Sequence, residues 1–514
     1  MAESADLQQA VFEFLGDPST YGGCAVRRVD THAAVVFLAG GRAYKVKRAV
    51  RFPFLDYSTL AKRHAACQDE LAVNQAFAPE LYRRVVPIAR DAFGRLAIGG
   101  DGTPVEWSVE MVRFDENKTL DRFTESERID DALAEKLAAA VTAMHERAPV
   151  VEAEPWLAAV HEFLDQNARA FCEAPDLFSP DLAEKLNRAS HLALARLRPL
   201  LLARGRLGYV RRGHDDLHLG NIAVLGDRPV PFDAIEFDPL IAAGDVLYDL
   251  AFLLMDLVER KLDRAANIVL NSYIAQTTRI EDIDGLAALP FFMSLRAAIR
   301  SKVTAARLQH VDVAARSGIV ADAQAYFRLA IDLIAPPPPR LIAIGGLSGT
   351  GKTAVARSLA PHVAPIPGAL VLRSDIERKR LFDVRNTDRL PAKAYRPEIA
   401  KELYRHLAER AARIVVAGHS TIVDAAFAHP GERDAIKSAA HEAHVAFRSL
   451  FLVADLKTRI ARVSARSLDA SDADAAVARQ QETYALGRLD WAQVNATGSL
   501  ADTVDLARAA IDQI

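Results

Sequence analysis

Three short stretches of this chain carry residue types at spacings that suit phosphate chemistry. The first is Gly346-Leu347-Ser348-Gly349-Thr350-Gly351-Lys352-Thr353, which has the form G-x-x-x-x-G-K-[ST]. An apolar run, Leu341 to Ile344, precedes it, and a helix-forming run, Ala354 to Ala360, follows. In a strand-loop-helix setting the backbone N–H groups of Gly346, Ser348, Gly349, Thr350 and Gly351 turn inward around phosphate oxygens, and the helix N-terminus adds positive potential. Lys352 then reaches the β- and γ-phosphates, and the Thr353 hydroxyl serves Mg²⁺.

The second stretch reads Gly213-His214-Asp215-Asp216-Leu217-His218-Leu219-Gly220-Asn221, with Asp233 twelve residues further on. An Asp, an Asn five residues later and a second Asp behind a short hairpin suit transfer of a phosphoryl group to a hydroxyl. Asp216 takes the proton of the attacking hydroxyl, while Asn221 and Asp233 hold Mg²⁺ on a triphosphate. Glu236 and Asp238 stand close enough to Asp233 to share the metal role. His214 is expected to prop the loop, and His218 faces either substrate or solvent. The remaining histidines show no metal-ligand spacing and receive no role.

The third stretch follows the phosphate loop. Asp375 ends a strand and Arg378 lies one helical turn on; Asp424 ends the next strand. Carboxylates at the C-terminal edge of a parallel sheet face its ligand crevice. Asp375 is placed to deprotonate an acceptor hydroxyl and Arg378 to hold the transferring phosphoryl. Asp424 reaches Mg²⁺ through water. Arg459, Arg462 and Arg466 recur at helical spacing and read as a lid closing over phosphates, followed by a capped helix beginning near Ser471.

The elements that must position these residues change character along the chain. Residues 7–16 read as a short helix. Val35 to Leu38 and Ala43 to Lys47 flank Gly40-Gly41 as a hairpin. A helix over 58–76 and strands near 85–88, 95–98 and 105–112 follow. From Ile129 the chain turns helical, interrupted by a polar interval over 205–239. Pro336 to Pro339 cannot continue a helix and favour a stiff spacer. Beyond them strands at 369–372, 421–423 and 449–453 alternate with helices, the pattern of a parallel α/β sheet.

Composition narrows the class. The 514 residues are half hydrophobic and carry a formal charge of −3. Residues 340–514 hold 25 Lys and Arg against 20 Asp and Glu, so the remainder is net acidic. Neither balance is a nucleic-acid footprint. The three cysteines form no C-x-x-C pair, which argues against a disulfide framework or zinc site and fits a reducing compartment. The N-terminus has no signal-peptide pattern, and no run is long and apolar enough to span a bilayer. A cytoplasmic protein is expected.

The H-x-D-x-x-x-x-N pattern followed by an Asp resembles the aminoglycoside phosphotransferase and choline kinase families, small-molecule relatives of protein kinases. The resemblance covers about residues 25–335. It implies that Lys45, with Lys47 close behind, meets the nucleotide phosphates, that Glu70 is the ion-pair partner, and that Glu110 and Met111 form the hinge that meets adenine. It implies a structural role for Asp245 and Asp249. Asp215 replaces the usual glycine between His and Asp, and no clear glycine-rich loop precedes Lys45. The last third resembles P-loop small-molecule kinases such as gluconate kinase, zeta toxins and the kinase half of polynucleotide kinases, through Ser-Asp-x-x-Arg and the R-x-x-x-R series.

The expectation is an α+β kinase-like bilobal domain over 1–335, a proline linker over 336–340, and an α/β P-loop domain with a parallel sheet over 341–514. Each would use ATP and Mg²⁺ to phosphorylate a hydroxyl of a small molecule, such as a sugar, aminocyclitol or nucleoside-like compound. Two alternatives stay open: one half regulates through ATP binding while the other works, or the Arg373, Arg378, Lys379 and Arg380 cluster serves a polynucleotide 5′-end kinase.

Overall fold

The structure is a computed structural model that describes residues 2–52, 55–126, 129–236, 242–276, 279–309, 313–465 and 470–512. It divides into two compact units: residues 1–257 with 295–320, and residues 258–294 with 321–514.

The first unit opens with the helix Ala2–Gly16 and a six-stranded antiparallel sheet. The strand order is Val26–Asp30, Ala34–Ala39, Arg42–Lys47, Thr103–Val112, Tyr82–Arg90 and Leu96–Ile98. Period-two alternation gives it two apolar faces. On one, Phe12 and Leu15 pack on Phe37, Tyr44 and Val46. On the other, Cys67 of the helix Leu60–Phe77 packs with Leu38, Val109 and Met111. Thr59 caps that helix by accepting from the Lys62 N–H at 3.3 Å. The helices Asp131–Arg147, Ala153–Cys172 and Pro180–Arg206 follow. The polar interval then forms a two-stranded hairpin, Ile222–Leu225 with Arg228–Pro231.

The second unit is built on a parallel five-stranded sheet ordered Leu370–Arg373, Thr421–Asp424, Arg340–Gly346, Ala446–Val453 and Ala492–Asn495. The central strand is covered on both faces, which explains the unbroken apolar run Leu341 to Ile344, wholly buried.

The sequence placed the domain boundary at the four prolines, whereas the units divide at 257/258, 294/295 and 320/321. Residues 258–294 pack into the P-loop unit for a hydrogen-bonding reason. Leu370–Arg373 is an edge strand, and an edge leaves backbone groups unpaired. Asn271 accepts from the Val371 N–H at 2.8 Å, and Asn267 donates to the Ala369 carbonyl at 3.0 Å. Arg413 and Asp284 form an ion pair in the same unit. No helix among the described residues is long and apolar enough to cross a membrane.

Candidate active sites

In the first unit, strand alternation puts Lys45 and Lys47 on one face of the sheet, two residues apart. Both reach the fully buried Glu70: Lys45 Nζ lies 2.7 Å from Oε1 and Lys47 Nζ 2.6 Å from Oε2. Each lysine has a second acidic partner, Asp233 for Lys45 and Glu236 for Lys47. Tyr57 donates to Glu236 Oε1 at 3.0 Å. Burial pushes the Glu70 carboxyl up, but the two ammonium groups outweigh it and hold the carboxyl well below its usual range. Burial likewise pulls Lys45 down, and Asp233 and Glu70 override it, keeping the ammonium protonated. The sequence favoured Lys45 over Lys47; Glu70 binds both.

The segment 213–221 is held by buried carboxylates on neighbouring elements. Asp249 accepts from the N–H groups of His214 at 2.8 Å and Asp215 at 2.9 Å. Asp256 accepts from the Leu219 N–H at 2.9 Å. A Cβ on Gly213 would stand 2.6 Å from Asp249 Oδ2, so glycine is needed for that close approach. His214 props the segment as expected, its Nε2 2.8 Å from the Phe232 carbonyl. Asp216 accepts from Asn221 Nδ2 at 3.0 Å and lies 3.5 Å from His218 Nε2. Burial pushes the Asp216 carboxyl up, yet His218, Arg300 and His214 hold it down at about 2. A lowered carboxyl that keeps 37% of its side chain open is ionised and reachable.

Asp215 and Asp233 both adopt left-handed backbone, with φ of 59° and 64°. Asp tolerates this region better than most residues, and the first value explains why a glycine is usual at 215. Asp215 turns its side chain away from Asp216 to meet Arg296, whose Nη1 also donates to the Asp215 carbonyl at 3.0 Å. Arg296 carried no sequence signal, being 81 residues distant. Asp233 presents its carboxylate to Lys45, and its N–H donates to Tyr82 Oη at 3.1 Å. Asp238 lies outside the described residues. Asp245 is paired with Arg204 at 2.7 Å, a structural contact.

The hinge expectation is corrected. Glu110 and Met111 stand inside the sheet, with Arg42–Lys47 paired on one side and Tyr82–Arg90 on the other. Glu110 is opposite Tyr44, so its carboxylate leaves on the face away from Lys45, where Arg84 donates to it at 2.7 Å and Arg42 lies at 3.1 Å. Met111 is buried in the core. Ladder pairing on both sides keeps either residue from being an open strand end.

In the second unit the strand Arg340–Gly346 leads into the phosphate loop, and Lys352 begins the helix Lys352–Leu359. Gly349 and Gly351 have φ of 86° and 92°. A Cβ at Gly349 would stand 2.4 Å from the Arg459 carbonyl. Lys352 Nζ donates to the Leu347 carbonyl at 3.3 Å, curling back over the loop. Thr350 donates to the same carbonyl at 2.8 Å. Thr353 Oγ1 donates to Asp424 Oδ2 at 2.5 Å, and Arg373 Nε lies 3.8 Å from the same oxygen. Burial and the charge of Asp424 push the Asp375 carboxyl up, against the pull of Lys352, Arg373 and a hydrogen bond from Ser471. Lys352, Thr353, Asp375, Arg378 and Asp424 all line one cleft of 1460 Å³. Arg378 donates to the Ala394 carbonyl at 2.7 Å and stacks over Tyr395 at 4.9 Å.

The arginine series differs from its expectation. Arg459 is buried behind the loop, with Nε donating to the Ser348 carbonyl at 2.9 Å and Nη2 to the Ala478 carbonyl at 3.1 Å. Arg462 donates to the carbonyls of Ala496 at 2.7 Å and Gly498 at 2.9 Å. These groups brace the loop from the side, because backbone carbonyls already take their N–H groups. Arg466 and residues 467–469 lie outside the described residues. The following helix is Ala475–Gln480, capped by Asp474 rather than beginning near Ser471. Gln481, which no motif marked, accepts from the Ser348 N–H at 2.7 Å and donates to Ser348 Oγ at 3.0 Å.

Both sites fit Mg²⁺ in donor chemistry. Thr353 and Asp424 pair two hard oxygen ligands beside the loop, and Asn221 leaves its amide oxygen for a cation because its NH₂ serves Asp216.

Comparison with known proteins puts a separate family model on each half of the chain, that on the first half running on through residues 258–289, which pack in the second unit. The model of an AAA domain matches residues 341–486, and that of the phosphotransferase enzyme family matches residues 30–289. An uncharacterized protein of Mycobacterium tuberculosis is 27% identical over 471 residues, covering 90% of each chain. A gluconokinase from Sinorhizobium meliloti matches 34% of this chain and 95% of its own, at 20% identity and a TM-score of 0.25. A choline/ethanolamine kinase family protein from Mesorhizobium loti matches 64% of this chain and 99% of its own, at 13% identity and a TM-score of 0.35. The matched segment 30–289 is just over half of the chain and contains Lys45, Glu70, Asp216, Asn221 and Asp233, so the chain belongs to the phosphotransferase enzyme family and is an ATP-dependent phosphotransferase with a second domain that carries a phosphate loop and is matched by the AAA-domain model.

Proposed function

We propose that the chain is bifunctional, with each unit transferring the γ-phosphoryl of ATP to a hydroxyl of a small molecule of the sugar, aminocyclitol or nucleoside-like kind. The observation that supports this reading is that each unit gathers a carboxylate, a lysine and side-chain oxygens of the kind that take a hard cation. Bound Mg²⁺ would neutralise charge on the triphosphate and orient its terminal group. In the first unit Asn221 and Asp233 would hold the ion, with Lys45 anchored by Glu70 at the phosphates. Asp216 accepts the acceptor hydroxyl's proton as the new P–O bond forms and the bond to the ADP oxygen breaks. In the second unit the loop N–H groups and Lys352 would cradle the phosphates, Thr353 and Asp424 would hold the ion, and Asp375 accepts the proton. A buried base beside another carboxylate has raised proton affinity, which suits general-base work nearer neutral pH. Three cysteines without disulfide partners are in keeping with a cytoplasmic setting.

The regulatory alternative rested on Asp215 in place of glycine. The side chain of Asp215 is engaged by Arg296 and leaves Asp216 and Asn221 in contact, which favours an active first site.

The test is transfer from γ-labelled ATP into a bacterial metabolite extract by wild type, Asp216→Asn, Lys352→Ala and the double variant. Loss of a different labelled product in each single variant supports two heads. If Asp216→Asn changes no product while Lys352→Ala removes them all, the first unit is regulatory and the proposal fails.

A further inference from the structure

The helices Ala153–Cys172 and Pro180–Arg206 of the first unit run antiparallel. Their facing sides carry side chains that neither active site uses. His161 and Asp165 are four residues apart and share one helix face. His191 meets them from the other helix. His161 Nδ1 lies 3.4 Å from Asp165 Oδ2, and His191 Nε2 lies 3.3 Å from Asp165 Oδ1. One donor atom from each residue can be chosen so that all lie within 4.8 Å of one another. The imidazoles stand edge to face, with centroids 4.9 Å apart.

These separations suit an ion. Four-coordinate tetrahedral zinc with bonds of about 2.1 Å needs its donors about 3.4 Å apart; each imidazole stands at about that distance from one Asp165 oxygen, His161 from Oδ2 and His191 from Oδ1, so a small turn of the carboxylate brings a single oxygen to serve both. Side-chain exposures of 60% for His161, 40% for Asp165 and 30% for His191 leave the group open for entry. A concavity of 720 Å³ adjoins both histidines, leaving space for a further ligand. Two imidazoles with one carboxylate form a borderline donor set, suited to Zn²⁺, Ni²⁺ or Cu²⁺, whereas Mg²⁺ and Ca²⁺ prefer oxygen alone.

We propose that His161, Asp165 and His191 form a three-ligand site for a borderline divalent transition-metal ion, Zn²⁺ first, with water at the fourth position. The ion would cross-link the two helices and stabilise the folded first unit, since binding to the native state alone raises apparent stability. It is separate in residues from both phosphotransfer sites.

The test uses the full chain without an affinity tag, stripped with a chelator and kept in excess Mg²⁺ so that oxygen sites stay filled. Co²⁺ is titrated as a spectroscopic stand-in for Zn²⁺. The expected result is one equivalent of Co²⁺ with the intense visible absorption of four-coordination, displaced by Zn²⁺. That equivalent should persist in Asp216→Asn and Lys352→Ala and be absent from His161→Asn and His191→Asn. Zn²⁺ should raise the melting temperature of wild type and not that of His161→Asn. His161 is the most exposed of the three, so this variant keeps the test valid should His191→Asn fold poorly. Equal Co²⁺ uptake by wild type and His161→Asn, or no four-coordinate absorption in wild type, would overturn the proposal and leave the cluster a surface hydrogen-bonded group.

Discussion

Asp216 in the first unit and Asp375 in the second are assigned the same proton-accepting task in opposite electrostatic surroundings. Asp216 is buried in part, yet His218, Arg300 and His214 hold its carboxyl down at about 2. Asp375 is pushed up by burial and by the neighbouring charge of Asp424, more strongly than Lys352 and Arg373 pull it down. The difference lies in what stands beside each carboxylate: imidazole and guanidinium groups in one case, a second carboxylate in the other. A base kept ionised by its own protein is ready before substrate arrives. A carboxylate crowded by another holds its proton more tightly.

The largest effect expected from this contrast follows removal of each base. Asp216→Asn and Asp375→Asn should each lower kcat of one reaction by ~10²–10⁴-fold, read by label transfer to that unit's product with the other product unchanged. Equal loss of both products in either variant would break the separation of roles.

Next comes the buried acid of the first unit. Glu70→Gln leaves Lys45 and Lys47 side by side without their shared carboxylate, and removing one partner of a buried ion group costs about 3–5 kcal/mol. Denaturant unfolding should show the first unit weakened by that amount, with partial recovery when Lys47→Met is added. An unchanged midpoint would mean that Asp233 and Glu236 suffice to hold both lysines.

Each unit also carries a buried histidine that acid must charge. His419 in the second unit is buried, its Nε2–H donating to the Gly368 carbonyl at 2.8 Å, and burial lowers its pKa to about 4. The unfolded chain therefore binds a proton first, and stability is lost as pH falls from about 6.5 toward 4, by up to about 3 kcal/mol. In the first unit burial likewise pushes the pKa of His214 down, so the same kind of loss begins as pH falls below about 6.5. Asp216 and Asp249, both held at about 2, contribute in full above the ordinary carboxylate range and lose that contribution as pH falls from there through about 2. Fluorescence of Trp491 in the second unit, and of Trp107 and Trp156 in the first, should each show denaturant midpoints that fall with pH from about 6.5 downward. A midpoint that stays level between about pH 6.5 and 4 in either unit would sink this expectation.

The smallest expected effect is in rate profiles. The acid limb of kcat/KM for the second unit's reaction should lie above the usual carboxylate range, because Asp375 must lose its proton to act, with about tenfold loss per pH unit below it. The first unit's reaction should show no limb from Asp216 until far lower pH. A shared limb would sink the comparison.

Much of this was legible because it is local. The phosphate loop, the Asp216–Asn221 spacing and the strand-terminal Asp424 are short-range patterns whose chemistry depends on a few adjacent backbone positions; Asp375, read from the sequence as a strand end, stands instead in the first turn of the helix Ser374–Leu381, the strand having ended at Arg373. The hairpin of the first unit followed from Gly40-Gly41 between two apolar runs, and the parallel sheet of the second from strands alternating with helices. Residues that act across long sequence distances left no such mark. Arg296 meets Asp215 from 81 residues away, and Gln481 meets Ser348 from 133. Arginine spacing alone could not tell a lid from a brace, because the periodicity of Arg459 and Arg462 is the same whether they face phosphates or loop carbonyls. Glu110 and Met111 were misplaced for a related reason: nothing local reveals that both flanks of their strand are paired.

By itself the sequence indicated a kinase-like first domain followed by a parallel-sheet domain with a phosphate loop, and singled out Asp216, Asn221, Lys352 and Thr353 as candidates for phosphate chemistry, since each rests on spacing within one element and its adjoining turn. Tertiary structure alone decided that Glu70 binds two lysines, that residues 258–294 complete the edge of the second sheet, and that His161, Asp165 and His191 share one point in space. Those outcomes arise from packing elements that lie far apart along the chain, where burial and hydrogen-bond satisfaction choose partners that no spacing rule encodes.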